Sequence, residues 1–277
     1  MPRPIAIGGV GGSGTRLIAS VVRSLGVHTG DDLNSSSDTL WFTLLFKRIE
    51  ILHAAHTEFD LLTQALSAAL QGGSPASGEI RSLIAACARH ARPEFSTQWL
   101  EARAESLTKA AGAPAHGMRW GWKEPNTHVV IERLWQHLPD LGYIHVFRHG
   151  MDMAHSRNQA QLRLWGASAL GEDGPCTPRR SLAYWCHVHR RMQDLHSRNR
   201  QRMYLLDYDA FCARPEQQAV PLLEFLGLPE REIPRLAGMI VAPRPRSERA
   251  PLESFAPRNI EYLRVLGYDV ERSSAHA

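Results

Sequence analysis

Residues 4–22 read Pro4-Ile5-Ala6-Ile7-Gly8-Gly9-Val10-Gly11-Gly12-Ser13-Gly14-Thr15-Arg16-Leu17-Ile18-Ala19-Ser20-Val21-Val22. An apolar run ends in a glycine-rich turn, and a helical pattern begins straight after it. Strand, turn and helix start together make an anion site. Glycine lets the backbone curl closely round a ligand, and the first helical turn carries N–H groups that lack intrahelical partners. The spacing from Gly9 to Gly14 fits the first half of the GxxxxGK-Ser/Thr loop, but Thr15 and Arg16 follow. A nucleoside-triphosphate loop places a Lys at the terminal phosphates and then a hydroxyl for magnesium. Here the hydroxyl comes first and an Arg second, so the turn reads as a phosphate cradle without its metal-dependent half. Gly9, Gly11 and Gly14 also satisfy GxGxxG, yet no lone acid closes a second strand to hold a ribose, which argues against a dinucleotide.

Working outward, the chain has 277 residues, 43% of them apolar, enough for one large core with a helical elaboration. Its net charge of +4 suits a pocket for a small polyanion and falls short of a nucleic-acid-binding domain. Cys87, Cys176, Cys186 and Cys212 show no metal spacing and read as thiols of a reducing compartment. There is neither a basic-then-apolar leader nor an apolar stretch of about 20 residues. The expectation is a cytoplasmic protein with no transmembrane segment.

Thr15 to Leu25 reads as an amphipathic helix ended by Gly26, and Val27-His28-Thr29 as a short strand. A loop through Gly30, Asp31, Asp32 and Asn34 follows. Helical patterns then fill most of residues 34–116, with Trp41, Phe42 and Phe46 reading as core. This insert parts the second strand from the third by far more than a normal crossover and is the place for a lid or acceptor pocket. Strands return at 117–122, 143–147 and 203–207. Helices are predicted over 129–138, 181–199, 215–226 and 257–266, with an open loop at 165–180. Apolar strands alternating with helices argue a single α/β domain over 1–277: a central parallel sheet with a P-loop-like phosphate-binding turn, flanked by helices, plus the helical insert.

Three strand ends carry cations: Arg16 beyond the first, Lys123 after the third and Arg148 after the fourth. In doubly wound folds such ends face one crevice. The site they imply receives several negative charges, and no Asp/Glu/His cluster accompanies them to hold a metal.

With these residues in view, nearly the whole chain resembles the sulfotransferases that use 3′-phosphoadenylyl sulfate (PAPS), both bacterial and Golgi or tyrosylprotein types. Gly11-Gly12-Ser13-Gly14-Thr15-Arg16 resembles the family's 5′-phosphosulfate loop. Arg148 to Ser156 is similar to its second signature, in which an Arg after a strand and a Ser eight residues on bind the 3′-phosphate. Tyr204 to Phe211, then Pro215 and Phe225-Leu226-Gly227-Leu228, resembles the RYEDL…P…FLGL stretch. Lys123-Glu124-Pro125 is similar to the KDP element, whose Lys contacts the transferring group. Two departures stand out. The loop's usual early cation is Gly11 or Gly12 here, with Arg16 as the substitute, and the RYED stretch keeps its tyrosine as Tyr208 without the Arg.

The resemblance implies a donor, PAPS, gripped by Gly11, Gly12, Ser13, Gly14, Thr15 and Arg16. Arg148 and Ser156 are then on the 3′-phosphate, and Tyr208 is among the contacts. Lys123 and Arg16 offset charge at the transferring group, and adenosine 3′,5′-bisphosphate (PAP) leaves, without a metal. Asp31, after Gly30, holds the position of the family's general base, with Asp32 second. The proline-rich segment 241–256 resembles one that folds over the nucleotide, with Arg249 or Arg246 reaching it. The implied acceptor is a hydroxyl or amine of a small molecule, sugar or glycolipid. The rival readings are a metal-independent nucleotide-binding module and an atypical P-loop kinase.

Overall fold

In the computed structural model, which describes residues 3–73, 77–110, 119–240 and 251–270, the opening run forms β1 (Ile5–Gly9), buried along its length. A strand covered on both faces has no polar side to alternate with, hence the unbroken Ile5-Ala6-Ile7. The chain divides into two units, Met1–Gly8 with Ile18–Ile144 and Gly9–Leu17 with His145–Ala277.

In the first unit, α1 (Thr15–Ser24, its first turn in the second unit) turns Ile18, Ala19, Val21 and Val22 inward. Gly26, at φ 85°, takes the left-handed conformation that ends the helix ahead of β2 (Val27–His28). Among the described residues of 40–108 lie the α-helices α2 (Leu40–Phe46), α3 (His56–Leu70), α4 (Gly78–Arg89) and α5 (Thr97–Thr108). Ser77 and Ser96 cap the last two with side-chain oxygens that accept the Ile80 and Trp99 N–H groups. The sheet resumes with β3 (Arg119–Lys123), then α6 (Thr127–His137) and β4 (Gly142–Phe147), whose last three residues lie in the second unit. Phe42, Phe46, Phe59 and Trp122 make one aromatic chain with ring centroids 4.8 to 5.9 Å apart. Trp41, Phe42 and Phe46 are core, as their pattern suggests.

The second unit holds α7 (Gly150–Ala154), α8 (Ala160–Leu170), α9 (Pro178–Arg198), β5 (Met203–Asp207), α10 (Tyr208–Ala213), α11 (Pro215–Leu226), α12 (Ile233–Gly238) and α13 (Pro257–Val265). Met151, Met153, Leu182, Trp185, Phe255 and Leu263 are buried together as its core. The open loop expected at 165–180 is in part α8. Leu162 and Trp165 are buried and anchor Gly166 to Leu170 as helix, although those small residues look loop-like in isolation.

Strand order is β2-β3-β1-β4-β5, with β3 parallel to both β1 and β2. The register pairs Ile7 with Lys123, and the Glu124 N–H donates to the Ile7 carbonyl at 3.0 Å, so β3 ends beside the last turn of β1. This is a central parallel α/β sheet flanked by helices. Among the described residues no helix is long and apolar enough to cross a membrane.

Close approach of β3 to β1 depends on Gly121, where an added Cβ would lie 1.8 Å from the Ile5 carbonyl oxygen. Backbone cannot yield there as a side-chain tip can. Gly121→Ala should cost roughly 3 kcal/mol or more, read as a lower urea midpoint. A midpoint unchanged from wild type would show that the strands part without cost.

Candidate active site

The turn after β1 is shaped by side chains from the β4–α7 region and from α10. Gly12 and Gly14 sit at φ 98° and 97°, a region that L side chains rarely adopt. A Cβ on Gly12 would meet Ser156 Oγ at 3.0 Å, and one on Gly14 would lie 2.1 Å from the Tyr208 ring. A side chain at position 12 would therefore hold a strained backbone and press on Ser156. The Ser13 N–H donates to the Val10 carbonyl at 3.0 Å, and Gln161, buried on α8, donates from Nε2 to the Gly9 carbonyl at 3.0 Å. Ser13 is fully buried, yet its hydroxyl has no hydrogen-bond partner among the described residues. A buried unpaired hydroxyl costs about 1–3 kcal/mol and is uncommon in folded proteins. Thr15 is buried and Arg16 exposed on the first turn of α1.

Arg148, 8% exposed, follows β4 and is held by carboxylates: Nη2 donates to Asp152 Oδ2 at 2.6 Å, and Nε lies 3.3 Å from Asp209 Oδ1. Its guanidinium stands over the Tyr208 ring, 5.6 Å from the centroid. Asp209 is itself fixed by the His149 N–H at 2.8 Å. Burial raises the Asp209 carboxyl above the usual range, opposed by that hydrogen bond and by Arg148, and burial pushes the Tyr208 phenol up to about 12. The second unit thus brings together Gly12, Ser13, Gly14, Ser156, Tyr208 and Arg148. Sequence reading missed Gln161, Asp152 and Asp209. Asp152 lies four residues from Arg148 on the chain, a spacing that pairs opposite charges and was legible.

In the first unit Lys123 ends β3 and is 2% exposed. Its ammonium donates to the Ser36 carbonyl at 3.0 Å and to the Asp38 carboxylate. Glu124, also buried, accepts from the Asn126 backbone N–H at 2.6 Å and its side-chain amide at 2.7 Å. Burial, reinforced by the nearby Asp38 charge, pushes Glu124 up to about 7. Asp31 and Asp32 diverge. The Asp31 side chain is 75% exposed, with Oδ1 3.9 Å from His28 Nε2, whereas Asp32 pairs with Arg103 at 2.9 Å. Asp38 was missed because its partner lies 85 residues away. Arg246 and Arg249 lie outside the described residues, as does most of segment 241–256. Among the described residues no group of three or more His, Cys, Asp or Glu side chains could hold a metal ion.

Fold and site define an α/β protein with a glycine turn between its first strand and first helix, next to a buried arginine. Residues 4–232 match the sulfotransferase family, and the chain belongs to it. It is accordingly a sulfotransferase of the PAPS-dependent class. No curated protein matches the chain. Among solved structures it is similar to the sulfotransferase domain of the Synechococcus PCC 7002 olefin synthase, at 17% identity over 97% of this chain and 96% of that one, TM-score 0.49. A sulfotransferase from Mycobacterium avium shows 15% identity over 99% and 79%, TM-score 0.46. The sulfotransferase domain of the curacin biosynthetic pathway shows 12% over 97% and 99%, TM-score 0.46. Membership rests on the family match, since likeness at these scores carries no weight of its own.

Glu124 gives a pH test. Its folded-state pKa near 7 exceeds the ordinary 4.5, so the folded protein keeps a proton that the unfolded chain loses in that interval. The resulting stability is present below about pH 4.5 and lost as pH rises through 7. Glu124→Gln, with Asn126 turning its amide to accept from the new NH2, should flatten this slope. At pH 8 the variant should be more stable by on the order of 2 kcal/mol. Melts at pH 5 and pH 8 decide it, and an unaltered pH dependence would place the carboxylate in water.

Proposed function

We propose that the second unit binds PAPS through Gly11, Gly12, Ser13, Gly14, Thr15 and Arg16 at the phosphosulfate and through Arg148 and Ser156 at the 3′-phosphate, with Tyr208 beside them. One observation carries this reading: the Ser13 hydroxyl is buried without a partner, in a turn whose glycines abut Ser156 and Tyr208. Arg148 fits its part, because carboxylates on Nη2 and Nε fix the guanidinium and leave Nη1 for a phosphate oxygen. When bound, PAPS supplies the sulfuryl group and departs as PAP. The bond from sulfur to the acceptor atom forms as the bond from sulfur to the phosphate oxygen breaks.

Lys123 and Arg16 offset charge that grows on the departing oxygen. Asp31 takes the proton of an acceptor hydroxyl. Its exposure leaves the carboxylate accessible, while Arg103 occupies Asp32. The acceptor is a hydroxyl or amine of a small molecule, sugar or glycolipid. In this reading residues 1–277 act as one sulfotransferase domain in the cytoplasm, with the insert 34–116 handling the acceptor.

Calorimetry tests the donor site. PAP should bind much more tightly than ADP or AMP, equally with and without a chelator. Arg148→Ala should lose roughly 2 to 5 kcal/mol of PAP affinity. Equal affinity for the three nucleotides, or binding abolished by the chelator, would overturn the assignment. Asp31→Asn should slow transfer to a hydroxyl acceptor about 10²- to 10⁴-fold at unchanged PAP affinity. Asp32→Asn should cost less, and the reverse order would move the base by one residue.

A further inference from the structure

The loop 33–39 is built around one carboxylate. Asn34 Nδ2 donates to Asp38 Oδ2 at 2.8 Å, and Asn34 Oδ1 accepts the N–H groups of Ser36 and Asp38 at 2.8 and 2.9 Å. Ser37 takes the left-handed conformation at φ 61°, which lets so short a loop close on itself. Thr39 then ties the loop to the end of β3. Its N–H donates to the Lys123 carbonyl at 2.7 Å, its Oγ1 accepts the Lys123 N–H at 3.2 Å, and the same hydroxyl donates to the Thr29 carbonyl at 2.8 Å. The residue next to Thr39 is therefore delivered to the Lys123 side chain. That residue is Asp38, whose Oδ1 receives the ammonium while Oδ2 stays with Asn34.

Stability alone is a poor reason for this arrangement. Burying an ammonium and a carboxylate costs several kcal/mol per ion, and an apolar pair of similar volume commonly does as well or better. The pair does fix a direction. A lysine ammonium has three donors on a freely turning stem. Asp38 and the Ser36 carbonyl take two of them, and the third is then aimed.

We propose that Asp38 is a positioning residue for Lys123, with Asn34 orienting Asp38, so that the ammonium meets the transferring sulfuryl group already aligned. The inference rests on the reading of Lys123 given above. Asp38 acts through Lys123 and takes no proton from the acceptor. Because the ammonium is pre-aligned, its donor does not reorganise during transfer, the condition under which a fixed charge contributes most to rate.

The experiment is a double-mutant cycle, read as slow hydrolysis of PAPS to PAP with water as the acceptor, so that no acceptor need be known. Asp38→Asn should lower turnover about 10- to 100-fold, the range for a lost charge-assisted hydrogen bond. Calorimetric PAP affinity should stay within about threefold, because the loss falls on kcat. Asp38→Glu, which keeps the charge, should recover part of it. In a Lys123→Ala background, Asp38→Asn should change turnover by less than about threefold. Asn34→Ala, at an exposed site, should show the same pattern at smaller amplitude and serves if Asp38→Asn does not fold. A readout without substrate comes from ¹⁵N-labelled lysine. The ligand-free protein should show a slowly exchanging Lys123 ammonium signal that Asp38→Asn broadens away. Equal losses in both backgrounds, unchanged turnover in Asp38→Asn, or parallel loss of PAP affinity would overturn the proposal. Normal turnover in Lys123→Ala alone would instead sink the underlying role of Lys123, a distinct result.

Discussion

Position 14 has to carry no side chain, since the Tyr208 ring occupies the space a Cβ would need and the backbone there runs at φ 97°. Much of the second unit's organisation depends on that constraint. Tyr208 reaches the turn because Asp207 caps α10, accepting the Asp209 and Ala210 N–H groups at 2.9 and 3.0 Å, so the ring leaves the helix at its first residue. The same turn of α10 carries Asp209, which faces Arg148. One cap thus sets both the aromatic lid on the glycine turn and one of the carboxylates that hold the arginine. Gly150 makes the matching provision on α7, for a Cβ there would press on Trp185 and Leu263 at 2.8 to 2.9 Å. An Arg-x-Gly sequence after β4 can therefore enter a helix flat against the unit's core while its arginine stays at the strand end.

Lys123 and Arg148 follow one electrostatic rule in separate units. Each is a buried cation, and each is met by carboxylate oxygens. An unpaired buried charge is too costly to keep, so each buried cation needs a counter-charge beside it. A net charge of +4 therefore understates the local demand for positive charge, because Asp38, Asp152 and Asp209 are spent in holding cations. Glu124 shows the other side of this rule: a carboxylate close to Asp38 and cut off from water rises towards neutrality.

What the sequence disclosed follows the range of the interactions. β1, its turn and α1 are written in consecutive residues, and the strand ends bearing Lys123 and Arg148 are read from short apolar runs. Ser156 and Tyr208 come from motif resemblance, and the structure sets both against the turn, Ser156 at Gly12 and Tyr208 at Gly14. Asp38 had no local signal, because its partner is remote and a loop aspartate ordinarily stabilises a turn. The Asp32 pairing with Arg103 was hidden for the same reason. The misread stretch at 165–180 failed differently: small residues favour loops in isolation, and only the burial of Leu162 and Trp165 makes Gly166 to Leu170 helical.

The same distinction sorts the two adjacent acids. Phe95 and Trp99 stack at 4.3 Å, and Arg103 lies over the Trp99 ring at 5.3 Å, so the guanidinium is fixed by an aromatic neighbour one helical turn away. From that position it pairs with Asp32 at 2.9 Å. The Asp32 carboxylate is thus tied to a guanidinium that is itself anchored on an indole. Asp31 sits in a different setting, exposed and 3.9 Å from an imidazole. Of two residues that sequence alone could rank only by order, one is held in an ion pair and the other has a side chain 75% exposed. Arg103, in an insert with no chemical motif, is what tells them apart.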